Sequence, residues 1–167
     1  MTKPHVICIV GSGRHVGKTT VLTQILKEMR RRGLVVGTIK HVGGHSEFDL
    51  SNKDTAKHIQ AGSIATLAVT TSSIIAIRKD LPNTLESALS QMPKELDYVL
   101  VEGFKQSKFP KIVVSKLSSE SLQEVPGDTI AVVLDQKQIA RSGKSDNIEP
   151  FTSKLLVDMI QDYFNSL

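Results

Sequence analysis

Cysteine is almost missing: Cys8 is the only one in 167 residues. A single thiol excludes an internal disulfide framework and a cysteine-rich zinc site. Tryptophan is absent, and aromatic residues make up 4% of the chain. No recognised nucleic-acid-binding motif occurs either, so DNA and RNA are poor candidate partners. Long apolar runs are lacking too. The longest, residues 6–10 and 130–134, fall far short of the roughly 20 residues of a membrane span, so no membrane contact is expected. The opening Met1-Thr2-Lys3-Pro4-His5 leads into a run too short for a signal-peptide core. The expectation is a cytoplasmic protein with a reduced thiol.

What is present is ordinary globular usage, with 40% apolar and 23% charged residues. At about 150 residues per domain, residues 1–167 are expected to form one domain. The net charge of +4 is uneven. Residues 14–40 hold Arg14, Lys18, Lys27, Arg30, Arg31, Arg32 and Lys40 against Glu28 alone. Such a segment suggests an anionic partner. For Arg30-Arg31-Arg32 the simpler reading is a helix end that complements the helix dipole.

Residues 6–10 form a continuous apolar run of the kind found in strands buried on both faces. Val21, Leu22, Ile25, Leu26 and Met29 then make one stripe on a helix over 18–32, stopped by Gly33. Residues 34–40 read as a second strand, completing a βαβ unit. Further along, the pattern predicts a short helix over 54–61 and two β-like runs, 64–70 and 73–78, close enough for a hairpin. A helix over 84–92 follows, with strands over 98–101, 112–115 and 129–134. A final helix carries Leu155, Leu156, Met159, Ile160, Tyr163 and Phe164. Residues 116–128 and 136–147 read as loops. The expected class is α/β, with a mostly parallel sheet plus a β-hairpin extension.

The strongest chemical signal is Gly11-Ser12-Gly13-Arg14-His15-Val16-Gly17-Lys18-Thr19-Thr20, between the first strand and the first helix. A phosphate-binding P-loop belongs at that position. Its glycines let backbone N–H groups face phosphate oxygens, and the helix start adds unpaired donors and a positive dipole end. Lys18 supplies a cation for the terminal phosphates, and the Thr19 hydroxyl is the expected magnesium ligand. Counted from Gly11 the loop is one residue longer than the usual pattern. The longer form resembles that of dethiobiotin synthetase and cobyrinic-acid amidase relatives. The three-layer P-loop NTPase fold follows from this loop and the alternating elements.

A carboxylate must stand opposite such a loop. Asp97-Tyr98-Val99-Leu100-Val101-Glu102-Gly103 is an apolar strand ending in one. Ligands in open α/β sheets bind at the carboxyl ends of strands. Glu102 is therefore the expected metal- or water-orienting group, catalytic together with Lys18. Lys40 and His41 end the second strand and are further binding candidates. Asp54 and Asp49 are the candidates for a second carboxylate in the magnesium shell. His41, His45 and His58 match no standard zinc spacing, so contact with phosphate or a partner is the preferred reading for them.

Several pieces occur together: Gly17-Lys18-Thr19-Thr20, Val36-Gly37-Thr38-Ile39-Lys40-His41, Lys53-Asp54-Thr55 and Ala61-Gly62. Leu100-Val101-Glu102-Gly103-Phe104-Lys105 and Phe109-Pro110-Lys111-Ile112 complete the set. Over residues 6–114 this combination resembles the molybdopterin-guanine dinucleotide biosynthesis protein B family. The loop over 49–54 is shorter than in that family's pattern and lacks its Pro-Gly. The resemblance implies GTP as ligand with Mg²⁺, slow intrinsic hydrolysis, and a homodimer whose sheets extend across the interface. It also implies partnership with the guanylyltransferase or insertion enzymes of the molybdenum cofactor.

Three functions compete at this stage. The first is a GTP-binding accessory protein with weak hydrolysis. The second is a small-molecule kinase or ATP-dependent ligase of the dethiobiotin-synthetase type. The third is a scaffold for which hydrolysis is incidental. A kinase usually carries an arginine-bearing lid, whereas the later half of the chain has only Arg141. That favours the first. No Asn-Lys-x-Asp guanine motif occurs, and Asp135 is a candidate for base contact by position alone.

Overall fold

The computed structural model describes residues 3–11, 13, 15–42, 54–116, 127–141 and 148–167. Two compact units emerge: Met1–His41 with Met92–Leu167, and Val42–Gln91. In chain order the elements are β1 (His5–Gly11), α1 (Lys18–Arg31), β2 (Val36–Lys40), α2 (Asp54–Gln60), β3 (Ala65–Val69) and β4 (Ile74–Arg78). They continue with α3 (Leu85–Ser90), β5 (Tyr98–Glu102), β6 (Lys111–Ser115), β7 (Thr129–Leu134), β8 (Gln138–Arg141), β9 (Ile148–Pro150) and α4 (Ser153–Asn165).

The first unit is built on one sheet of order β2-β5-β1-β6-β7-β8-β9. Its first five strands are parallel, and β8 and β9 are added antiparallel. The class is α/β with a mostly parallel sheet, as expected. The continuous apolar runs are explained by burial on both faces: every residue of β5 and β6 is buried, as is 6–10 of β1. Ile7, Ile9, Leu100 and Ile112 share one cluster with Val21, Ile25 and Met29 of α1 and with Leu156 and Ile160 of α4. Burying each such side chain contributes about 1.5–3 kcal/mol, so the α1 stripe fixes that helix to the sheet.

The end of α1 explains the basic triplet. Arg31 and Arg32 both reach the Glu28 carboxylate, at 2.8 and 2.9 Å, and Arg32 also bonds Asp158 of α4 at 2.7 Å. Hydrogen bonds from Arg31 and Arg32 hold the Glu28 carboxyl down at about 2. The helix then stops at Gly33, whose φ is 80°, with Gly33 N–H on Arg30 O and Leu34 N–H on Met29 O. The triplet is a helix end and an interhelical clamp.

One sequence reading needs correction. Residues 136–147 were expected to be loop throughout, but 138–141 form β8. After β7 the chain turns back at once, because Asp135 and Gln136 both take left-handed backbone, with φ of 45° and 57°. The strand is only four residues long, and Ile139 is its one fully buried apolar side chain.

In the second unit β3 and β4 pair antiparallel from Ala65↔Arg78 to Val69↔Ile74, the expected hairpin. Both of its faces carry exposed apolar side chains: Leu67, Val69 and Ile74 on one, Ile75 on the other. Thr84 caps α3 by accepting from Ser87 N–H at 3.1 Å.

Candidate functional site

Strand β1 carries the chain to Gly11, and α1 begins at Lys18. Between them Ser12 and Arg14 lie outside the described residues. The helix start has no side-chain cap and no acidic residue in its first turn. Its uncapped backbone donors and positive dipole end therefore favour an anion. Gly17 is obligatory here. Its φ is 97°, and a Cβ would fall 2.2 Å from Gln136 Nε2. His15 also has left-handed backbone, with φ of 56°, and is exposed. Val16 is buried. The Lys18 ammonium bends back and donates to Gly13 O at 2.8 Å.

The parallel pairing of β2 with β5 sets Lys40 beside Glu102. Glu102 is only 8% exposed. Its two carboxylate oxygens accept from the Thr19 hydroxyl at 3.0 and 2.9 Å, and Lys40 Nζ lies 3.4 Å from Oε2. A glutamate at the end of one strand and a threonine at the start of α1 thus meet in space, as the carboxyl-end rule leads one to expect. His41 N–H donates to Glu102 O at 2.8 Å. Gly103 follows with a φ of 105°, where a Cβ would lie 2.8 Å from His41 Cβ. The His41 ring packs on Phe104 at 4.4 Å.

The chain leaving Glu102 is anchored from below by a group that composition alone gives no reason to suspect. Lys111 is fully buried, and its ammonium donates to the carbonyls of Ser107 and Phe109. Burial lowers its pKa, with the neighbouring Cys8 opposing the shift. Cys8 is itself fully buried, in contact with the Ser107 hydroxyl at 3.2 Å, and burial raises its thiol pKa. The sequence signal for this anchor is the Phe-Pro-Lys-Ile piece. A lysine at the head of a strand otherwise apolar on both faces must find oxygen partners.

The glycine loop, the start of α1, Lys40 and Glu102 surround a cleft of about 530 Å³ at the carboxyl ends of β1, β2, β5 and β7. His15, Gly17, Lys18, Thr19 and Thr20 line it together with Lys40 and Glu102. Gln136 is a lining residue that sequence reasoning passed over for its neighbour Asp135. Asp54 belongs to the second unit, where it opens α2 and pairs with Lys57 at 2.9 Å. His58 is exposed on the same helix. His45 and Asp49 lie outside the described residues. Among the described residues, no three His, Cys, Asp or Glu side chains gather at one point. The cleft thus offers anion-binding backbone, two lysine ammonium groups, and a hydroxyl–carboxylate pair.

The family model for molybdopterin guanine dinucleotide synthesis protein B matches residues 6–135. A protein of Bacillus subtilis described as a probable molybdopterin-guanine dinucleotide biosynthesis adapter protein is 32% identical over 83% of this chain and 81% of its own. The adapter protein of Haemophilus influenzae is also 32% identical, over 70% and 67%. Among solved structures, a MobB protein homologue from Bacillus stearothermophilus is 26% identical with a TM-score of 0.64, covering 96% of both chains. The matched span runs from the first strand, through the glycine loop and the Glu102 strand, to Asp135 just after β7. This chain therefore belongs to the molybdopterin guanine dinucleotide synthesis protein B family.

Proposed function

We propose that this chain is a GTP-binding adapter of molybdopterin guanine dinucleotide biosynthesis that hydrolyses its nucleotide slowly. The observation that carries this reading is the Thr19–Glu102 pair beside an uncapped helix start. Thr19 and Glu102 supply hard oxygen donors of the kind magnesium takes along with phosphate oxygens, so the residues fit that ion. Held there, magnesium would supply charge neutralisation at the terminal phosphates. Lys18 and the 15–20 backbone bind the phosphates, and Glu102 orients the attacking water. Among the described residues the lysines Lys18 and Lys40 line the cleft with no arginine beside them, in keeping with slow hydrolysis. Fast phosphoryl transfer generally adds an arginine at the transition state.

The kinase or ligase alternative is disfavoured by Arg141. It is the only arginine of the later half, and it is engaged with Asp162 of α4 at 2.9 Å. The second unit supports a homodimer. A two-stranded hairpin is marginal alone in water, and this one exposes Val69 at 74% and Ile74 at 65%. A second copy of the hairpin would cover those side chains and the open strand edge. The guanylyltransferase or insertion enzymes of the cofactor are the proposed protein partners.

Equilibrium binding of GTP against ATP, each with Mg²⁺, tests the reading. Saturable binding with GTP preferred is expected. Equal affinity for the two, or none for either, would reject it.

A further inference from the structure

The cleft has two chemically different ends. Strands β5 and β2 lie on one side of β1, and they bring Glu102 and Lys40. Strands β6 and β7 lie on the other side, and the turn after β7 brings Gln136. Lys18 and Thr19 stand between, at the head of α1. A polyphosphate whose terminal group sits at Thr19 and Glu102 would extend past Gly17 toward the turn after β7. There it meets a neutral amide, lying so close over Gly17 that a Cβ would touch it.

Gln136 keeps that place against local preference. The turn over 134–137 is closed by Lys137 N–H on Leu134 O at 3.0 Å. Two successive left-handed residues in a hairpin turn normally select Asn-Gly or Asp-Gly. Here glutamine stands at the second position, with φ of 57°. A non-glycine residue held in that region beside a cleft points to a role for its side chain. An uncharged amide adds little for phosphates already served by lysine and backbone N–H groups. It offers one acceptor and two donors, the complement of sugar hydroxyls and the amide-like edge of a base.

We propose that Gln136 is a specificity-determining residue that binds the nucleoside half of the ligand, leaving the phosphates to the loop of residues 11–20. This rests on the reading of the cleft as a nucleotide site. The two claims separate when GTP and inorganic tripolyphosphate are titrated in parallel. Gln136→Gly keeps the turn, since glycine accepts its φ, and removes the amide. It is expected to weaken GTP about 3- to 10-fold, the range of one neutral hydrogen bond, and to leave tripolyphosphate unchanged. Gln136→Asn, also tolerant of left-handed backbone, retracts the amide and is expected to lose GTP affinity in the same direction. Equal losses for the two probes would make Gln136 a phosphate contact and overturn the assignment, as would no loss for either. Lys18→Ala should lower both probes together. A wild-type protein that binds neither probe rejects the nucleotide site itself, and this assignment with it.

Discussion

The Thr19 hydroxyl and the Glu102 carboxylate stand 2.9 Å apart, although 83 residues separate them in the chain. The bond ties the first turn of α1 to the tip of β5, so the loop and the acidic strand end form one piece. Glu102→Gln keeps the shape and an acceptor for Thr19 but loses the charge. Magnesium-dependent hydrolysis should fall by at least about 10-fold, while affinity measured in a chelator changes by less than about 3-fold. Unchanged turnover in a single-turnover assay would remove Glu102 from the reaction.

Lys18 spends its ammonium on a carbonyl of its own loop, Gly13 O at 2.8 Å. That contact is easily surrendered to a phosphate. Lys18→Ala should weaken triphosphate binding by roughly 10- to 100-fold, the worth of one charge-assisted contact. The melting temperature should move by no more than about 2 °C, as befits a residue outside the core. Calorimetric titration beside a thermal melt checks both halves. A large drop in melting temperature would show that Lys18 serves the fold.

Glu28 gives an acid-range prediction. Its folded pKa of about 2 lies below the ordinary value near 4.3 of an unfolded chain. A group depressed in this way stabilises the fold above the unfolded pKa, and the contribution fades as pH falls toward the folded one. Urea midpoints of wild type and Glu28→Gln should therefore differ most at pH 6 and converge near pH 2. A gap that persists undiminished at pH 2 would assign the effect to packing instead of charge.

The proposed dimer turns on the hairpin. Ile75 is half exposed and pairs with Ala68 in the β3–β4 ladder. Light scattering at micromolar concentration should give twice the 18.3 kDa chain mass. Ile75→Asp should return the mass to that of one chain. GTP affinity per chain should stay within about 2-fold, because the loop and Glu102 belong to the other unit. A wild type that already runs as a single chain sinks the dimer.

Strands buried on both faces were the most legible part of the sequence. Residues 6–10 and 98–101 are unbroken apolar runs that lie in buried strands of the parallel sheet, and 129–134 became a third, partly buried strand. Glu102 was legible for the same reason, since a charge closing such a run must stand at a strand end. β8 and β9 were not, being four and three residues long with one fully buried apolar side chain between them. Gln136 was hidden by a backbone property. Nothing in Asp-Gln-Lys announces two left-handed residues, and without that turn the amide has no reason to reach Gly17. Lys111 was visible as a motif letter, but its burial follows from the carbonyls of a loop three-dimensionally beneath it.

The position of β1 has a consequence for how the chain is made. It is synthesised before both of its neighbours, β5 and β6, with His5 opposite Tyr98 and Cys8 opposite Lys111. Neither edge of β1 has a sheet partner until residues 98–102 have left the ribosome. Pairing at such sequence separation is slow, and an unpaired apolar strand is exposed to misassociation meanwhile. The nascent chain therefore carries the apolar residues 6–10 without their sheet partners until β5 has been made. A chaperone that shields residues 5–11 during synthesis should raise the yield of folded protein more than one that acts after release.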